Sequence, residues 1–339
     1  MSEPAGKVFV TGGSGFVGRA VAGRLLEEGR EVVALARSPA AAGRLEGAGA
    51  TAVLGDVLDE DSLAAGMAGC ETVFHVAGLN AFCLSDPSPL YRVNVEGSLT
   101  VVRAAARCGV RRIVHTSSAS TVGEEPGSVG REDVGHRGWF LSEYERSKYE
   151  AERAVLAAGE ECGVEVVSVN PSSVQGPGRT GGTGRLLIDY LNGRLRFFVE
   201  TRLSLVDVAD CAAGHVLAEV HGEPGERYLL SGGCLRASEA LELVSRLGGV
   251  THRVRTVPPA VATAGAAVVE AGSRLLRRQP PFCREQARAL VHGHVYDGSR
   301  ATRELGLVYT PVEETLRRTI AWYGEHGYLR ARPSAGPTR

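Results

Sequence analysis

What most limits the folds open to this chain is a glycine-rich turn between a β-branched run and an amphipathic one, Thr11-Gly12-Gly13-Ser14-Gly15-Phe16-Val17-Gly18. Its glycines recur as GxxGxxG directly after the strand-like Lys7–Thr11 and before a helix expected over Phe16–Glu28. One glycine permits the tight turn, one lets the backbone approach a pyrophosphate, and the last lets helix and strand pack closely. The start of the helix adds unpaired N–H groups and a partial positive charge. In a first βαβ unit this pattern reads as a dinucleotide cradle, with Gly12, Gly15, Phe16, Val17 and Gly18 as its members.

The rest of the first half agrees. Short apolar runs at Lys7–Thr11, Glu31–Ala36, Thr51–Gly55, Thr72–Val76, Arg111–Ser117 and Val164–Val169 alternate with helical patterns at Phe16–Glu28, Asp61–Met67, Leu90–Cys108 and Phe140–Ala158. Runs that are apolar on both faces are strands buried on both sides, so the expected fold class is α/β, a doubly wound parallel sheet of the Rossmann kind. Residues 1–169 are expected to form this dinucleotide-binding unit, its sheet completed within about 203–233 by Leu203–Val208 and Arg227–Ser231. After Asn170 the pattern turns to Gly- and Pro-rich loops and interrupted helices, and 170–202 with 234–330 are expected to build a smaller, interleaved substrate region. The apolar segment Pro258–Leu276 is broken by Glu270 and Arg274, and is expected to be a helix over the substrate cleft or core rather than a membrane span. The stretch 331–339 reads as a disordered tail.

Composition excludes several classes. A chain that is 43% hydrophobic with a net charge of -1 can bury enough surface to fold. Its 38 basic and 39 acidic side chains leave no field to attract nucleic acid. The cysteines, Cys70, Cys83, Cys108, Cys162, Cys211, Cys234 and Cys283, contain no CxxC and are odd in number, which argues against a zinc ribbon and a disulfide framework. No metal site is expected, and with no basic-then-apolar leader before Lys7 the expectation is a cytoplasmic chain in a reducing compartment.

Two places refine the chemistry. The second strand ends in Leu35-Ala36-Arg37-Ser38, with no carboxylate to accept bonds from an adenosine ribose. Arg37 and Ser38 suit a 2′-phosphate instead, so NADP(H) is expected in preference to NAD(H), which stays possible. Asp56 and Val57, after the third strand, are placed to meet the adenine. Tyr144 and Lys148 stand four residues apart, on one helix face. Lysine is scarce here, only Lys7 and Lys148, which makes the pairing specific. A nearby cation is expected to lower the phenol's pKa from about 10 and fit it for acid/base work on a carbonyl or alcohol. Ser118, just past the strand-like run Arg111–Ser117, can hold a substrate oxygen near the phenol.

Together with Phe74-His75-Val76-Ala77-Gly78, Asn94-Val95-Glu96-Gly97, Thr116-Ser117-Ser118 and Asn170-Pro171-Ser172-Ser173-Val174, these motifs closely resemble the extended short-chain dehydrogenase/reductases, the NAD-dependent epimerase/dehydratase family. The resemblance runs to about Leu329. It is nearest the dihydroflavonol-4-reductase-like and hopanoid-associated sugar-epimerase-like groups, through Gly184–Gly193 and Pro311-Val312-Glu313-Glu314 with Trp322-Tyr323. It implies Tyr144 as proton donor or acceptor, Ser118 as the group positioning the substrate oxygen, and Lys148 as the cation that binds the nicotinamide ribose and depresses the tyrosine pKa. Asn94 is implied to hold a water linking Lys148 to solvent. Ala77, Gly78, Thr116 and the backbone from Pro171 to Val174 are implied along the cofactor. A homodimer through Leu90–Cys108 and Phe140–Ala158 is expected from the family.

Departures from the family separate its reactions. Ala119 and Ser120 replace the Asp-Glu pair of sugar dehydratases, which argues against dehydration. Ser173, and Leu203 with Arg202 one place away, replace two residues that serve the diphosphate in nucleotide-sugar epimerases. The reading is therefore an NADP(H)-dependent oxidoreductase acting on a ketone or secondary alcohol of a fairly apolar small molecule. A nucleotide-sugar epimerase with retained NAD(P) is the alternative, and a cofactor-sensing protein without activity the more distant one. Phe82, Leu84, His136, Trp139, Phe140 and Ser172 are the candidate substrate contacts.

Overall fold

The computed structural model describes residues 6–330, so the expected tail at 331–339 lies outside the described residues. In chain order the elements are β1 (Val8–Thr11), α1 (Phe16–Glu27), β2 (Val32–Ala36), α2 (Pro39–Glu46), β3 (Thr51–Leu54), α3 (Glu60–Met67), β4 (Thr72–His75), α4 (Ser88–Tyr91), α5 (Gly97–Arg107), β5 (Arg112–Thr116), α6 (Glu143–Cys162) and β6 (Glu165–Pro171). There follow β7 (Ser173–Gln175), α7 (Thr183–Leu191), β8 (Phe197–Phe198), β9 (Arg202–Asp207), α8 (Val208–His221), β10 (Arg227–Leu230), β11 (Gly233–Arg236), α9 (Ala237–Gly248), β12 (Arg255–Thr256), α10 (Pro259–Leu275), α11 (Arg284–His292) and α12 (Val312–Glu325).

Seven strands form one parallel sheet in the order β10-β6-β5-β4-β1-β2-β3. The order reverses at β1, where β2 and β4 flank it, and that reversal leaves a crevice at the strands' C-terminal ends. The strands are apolar because both faces are covered. Val8, Val10, Phe74 and Val114 face one packed layer with α1 and α8, while Phe9, Val73 and Ile113 face the other with α3, α5 and α6. A separate cluster built on Ile188, Tyr190, Val244, Leu316 and Tyr323 forms the core of the C-terminal region.

Four local expectations are corrected. The segment expected to complete the large sheet at Leu203–Val208 instead forms β9 at the centre of a second sheet, β11-β9-β7. Only β10 returns to the large sheet, beside β6. A strand of the right composition carries no mark of which sheet it joins. The helix α2 was not foreseen, although Ser38 accepts from the Ala41 N–H as its N-cap and Pro39 occupies its first turn. The single helix expected over Leu90–Cys108 is divided into α4, a π-helical turn at Arg92–Glu96 and α5. Finally, α10 lies beside a cleft through Thr263, Glu270 and Arg274 and buries Ala266, but its larger apolar side chains are not packed: Val268 is 72% and Leu275 85% exposed. Among the described residues no helix is long and apolar enough to cross a membrane.

Candidate active site

The glycine turn is shaped by what a side chain would strike. Gly12 has φ +72, and a Cβ there would come within 2.6 Å of the Ala77 nitrogen; at Gly18 it would lie 2.1 Å from the Gly12 carbonyl oxygen. The strand end, the turn and the first turn of α1 therefore approach as closely as backbone allows. Gly15 is the N-cap of α1 and offers no side-chain cap, so the first amides of the helix are left for an outside acceptor. This cradle, closed to side chains and open at its amides, fits a dinucleotide pyrophosphate. Phe16 and Val17 begin α1 partly buried, and the Arg179 guanidinium lies 5.3 Å over the Phe16 ring.

At the far end of the crevice Arg37 is exposed at the tip of β2, while the Ser38 hydroxyl is engaged in capping α2. One carboxylate oxygen of Asp56 accepts from the Leu58 N–H at 3.0 Å, and Val57 is buried against Gly97. Thr11 closes the floor. Its hydroxyl accepts from the Ala77 N–H at 3.1 Å and lies 2.7 Å from His75 Nδ1.

Tyr144 and Lys148 project from the first two turns of α6, which starts where Ser142 caps the Glu145 N–H. Ser118 stands beside the Tyr144 phenol, its own hydroxyl 3.0 Å from Ser120 Oγ, and Phe82 packs against the phenol with ring centroids 5.5 Å apart. Lys148 is buried and donates to the Thr116 carbonyl at 2.7 Å. A Cβ on Gly78 would lie 3.6 Å from Lys148 Nζ and 3.4 Å from Asn94 Oδ1, so these two polar groups flank the same point of backbone. Asn94 sits in the π-helical turn; its amide pairs with both backbone groups of Leu79 and donates to Ser147 at 2.9 Å. The widened turn is what aims an otherwise interior helix residue at the α6 face.

The electrostatics differ from the expectation at one point. The Tyr144 pKa is raised, not lowered: burial outweighs the Ser118 hydrogen bond and the charge of Arg179. The lysine ammonium expected to depress it is instead held on the Thr116 carbonyl, and burial pulls Lys148 itself down to about 8. At neutral pH the phenol keeps its proton, the form that donates to a carbonyl oxygen.

Several supporting residues had no local signal. Glu152, one turn beyond Lys148, accepts from Thr121 and Ser168 and pairs with Arg227, while Asn170 bonds both Thr121 and Glu152. Asn170 also donates to the Ser118 carbonyl at 3.3 Å, so this network fixes the backbone that carries Ser118. Beneath it His75, His115 and His215 are fully buried, and burial draws His75 to about 3, His215 to about 4 and His115 well below the usual histidine value. Thr116, expected along the cofactor, turns its hydroxyl to His215 Nε2 at 2.8 Å. Pro171 and Val174 are buried, and the buried Ser172 hydroxyl has no hydrogen-bond partner.

The expected substrate wall is only partly apolar. A cleft of about 890 Å³ opens beside the first turn of α6, between the loop of Cys83 and Leu84, Phe140, and the α10–α11 segment. Arg274, Arg277, Arg278, Arg284 and Arg288 line it, and Ser118, Tyr144 and Lys148 are outside its lining, so it adjoins this trio rather than containing it. His136 packs its ring on Phe140 and Tyr149, and Trp139, 46% exposed, lies under Arg137. Cys83 and Cys283 form a disulfide across this cleft, which corrects the all-thiol reading: partners separated by 200 residues leave no spacing signature. A second constellation missed by the sequence brings together Glu124, His292 and His294.

The family model for the NAD dependent epimerase/dehydratase family matches residues 8–231. A provisionally named dihydroflavonol 4-reductase of Synechocystis sp. is 34% identical over 331 residues, covering 95% of this chain and 96% of that protein. Sterol demethylase protein B of Methylococcus capsulatus is 32% identical, covering 95% of this chain and 99% of its own. The crystal structure of gox2253 superposes with a TM-score of 0.83 at 31% identity, over 95% of this chain and 99% of that one.

Proposed function

This chain belongs to the NAD-dependent epimerase/dehydratase family as an NAD(P)-dependent oxidoreductase of the extended short-chain type, and from that premise we propose that it reduces a ketone of a fairly apolar small molecule to a secondary alcohol, or runs the reverse, with NADP(H). The observation that carries this reading is the juxtaposition of Ser118 and the Tyr144 phenol, with buried Lys148 one helical turn away and held on the Thr116 carbonyl at 2.7 Å. The cofactor, held by Gly12, Gly15, Gly18, the opening amides of α1, and Lys148, supplies the hydride. Ser118 orients the carbonyl oxygen, and Tyr144, protonated at neutral pH, passes its proton to that oxygen. Lys148 holds positive charge beside the reacting region, and Asn94 fixes the backbone facing it. Exposed Arg37 favours a 2′-phosphate, which supports NADP(H) over NAD(H).

Two further points support reduction over epimerisation. Ser173 Oγ lies 3.3 Å from Thr183 Oγ1, so this hydroxyl is engaged within the chain rather than held ready as a dedicated diphosphate ligand. The names of the Synechocystis and Methylococcus relatives denote a reductase and a sterol-processing protein. The test is stoichiometry: with apolar ketones, one NADPH is expected to be consumed per alcohol formed. Conversion of a nucleotide sugar without net NADPH consumption would replace this reading with the epimerase. A dimer through α5 and α6 is part of the proposal, and sedimentation of a monomer at micromolar concentration would remove it.

A further inference from the structure

Three side chains from distant parts of the sequence meet in the interior behind the catalytic helix. Glu124 lies just beyond the short helical turn that follows Ser118, His292 ends α11, and His294 follows two residues later. One donor atom from each lies within 4.8 Å of the others. The Glu124 and His292 side chains are 1% and 3% exposed.

Hydrogen bonding among these groups does not account for all of them. His294 Nδ1 lies 2.6 Å from Glu124 Oε1, a good imidazole–carboxylate bond. His292 Nε2, however, stands 3.5 Å from the same oxygen and has no hydrogen-bond partner, and the buried Glu124 Oε2 has none either. Two unsatisfied buried polar atoms in one cluster are costly unless a further group is bound there, and the His294 side chain, 26% exposed, leaves the cluster a way in from solvent. A separation of 3.5 Å is too long for a hydrogen bond yet matches two ligands that each lie about 2.0–2.1 Å from a tetrahedral cation. The donor set, two imidazoles and one carboxylate, is the kind that selects a borderline divalent ion such as Zn²⁺ over Ca²⁺ or Mg²⁺. The phenol oxygen of Tyr296, 2.9 Å from His294 Nδ1, adds an oxygen at the rim. The nearby Arg137 guanidinium is already neutralised by the buried carboxylate of Glu145.

We propose that Glu124, His292 and His294 form a structural zinc-class site that fastens α11 to the loop following Ser118. On binding, the ion takes the place of the proton shared between His294 Nδ1 and Glu124, and that proton leaves to solvent. Helix α11 is then secured at both ends, since its N-cap residue Cys283 is bonded to Cys83 and its last residue is the ligand His292. The site is independent of the hydride-transfer reading, and its test needs no substrate.

The full chain, stripped with a chelator and dialysed, is titrated with Zn²⁺ by calorimetry and with Co²⁺ by visible absorption. The expected result is one equivalent bound with a Kd of micromolar or below, an intense four-coordinate Co²⁺ spectrum, and a Tm raised by roughly 2–4 °C at saturation. The double variant His292→Ala/His294→Ala should bind at least about 100-fold more weakly, and Glu124→Gln, close in shape, about 10-fold or more. His326→Ala, an exposed residue just past the end of α12, should bind as the unaltered chain does. In that chain the ring resonances of His292 and His294 should shift with Zn²⁺ while that of His326 does not, a readout independent of whether variants fold. Absence of stoichiometric binding, equal binding by a folded double variant, or unshifted His292 and His294 resonances would each overturn the site.

Discussion

The cradle at the start of α1 and the wall made by α10 and α11 are built by opposite means. At the cradle the backbone itself is the device: no side chain fits at Gly12 or Gly18, and helix and strand are locked in mutual contact. At the wall the working parts are long, charged side chains over a helix that leaves its apolar residues exposed, joined to the body by a disulfide. The difference teaches where tolerance to change resides. A surface defined by backbone approach admits one ligand geometry, whereas a wall of arginines can be repopulated without disturbing the sheet beneath it.

The strongest way to break this comparison is Gly18→Ala. Its methyl group would have to displace the Gly12 carbonyl, and the expected outcome is loss of detectable NADPH binding with a stability cost of about 3 kcal/mol or more, read by calorimetry and thermal unfolding. An alanine variant that binds NADPH normally would show that the turn is far softer than described.

Acid probes the same half through its interior. His75, His115 and His215 are held neutral in the folded state by burial, whereas in the unfolded chain they charge below about 6.5. Because their folded pKa values are depressed, stability is full above about 6.5 and falls as pH drops towards the folded values, by roughly 1.4 kcal/mol per pH unit for each ring. Chemical denaturation at pH 7.5 and 5.5 measures this. Equal stability at the two pH values would mean that the three rings are not shielded from solvent.

A smaller effect is expected at the cradle's edge. Arg37→Asp exchanges a phosphate partner for a ribose partner and should move the NADP(H)/NAD(H) preference at least tenfold towards NAD(H), read from the two Kd values. An unchanged ratio would leave the preference without a residue to carry it. The smallest effect on the nucleotide half should come from the other region: Cys283→Ser is expected to raise proteolytic cleavage between 276 and 283 and alter the ketone KM, while NADPH affinity stays within about twofold. A large loss of NADPH affinity would show that wall and cradle are coupled after all.

How much of this could be read in advance follows the same division. The parallel strands were legible because burial on both faces demands continuous apolar runs, and the glycine turn because its spacing answers a steric need. The Tyr144–Lys148 pair was legible from helical spacing alone. The helix α2 could have been read from Ser38, Pro39 and Gly47, a capping signal hidden by a short, alanine-rich segment. Other features had no local mark. The π-helical turn that presents Asn94 lies inside an ordinary helical pattern, and β9 has the composition of a strand for either sheet. The disulfide, the Glu152–Asn170 network and the Glu124–His292–His294 cluster each depend on distant segments that only the fold brings together. The pKa of Tyr144 was misread for a related reason, since spacing places a cation one turn away but cannot show that its ammonium is held by the Thr116 carbonyl.

The most direct measurement is single-turnover reduction of an apolar ketone by NADPH with the unaltered chain and with Tyr144→Phe. The substitution removes one oxygen and leaves the cradle intact, so turnover should fall by two orders of magnitude or more while the NADPH Kd changes by less than about twofold. Turnover near that of the unaltered chain would contradict proton donation by this phenol, and with it the assignment of the site.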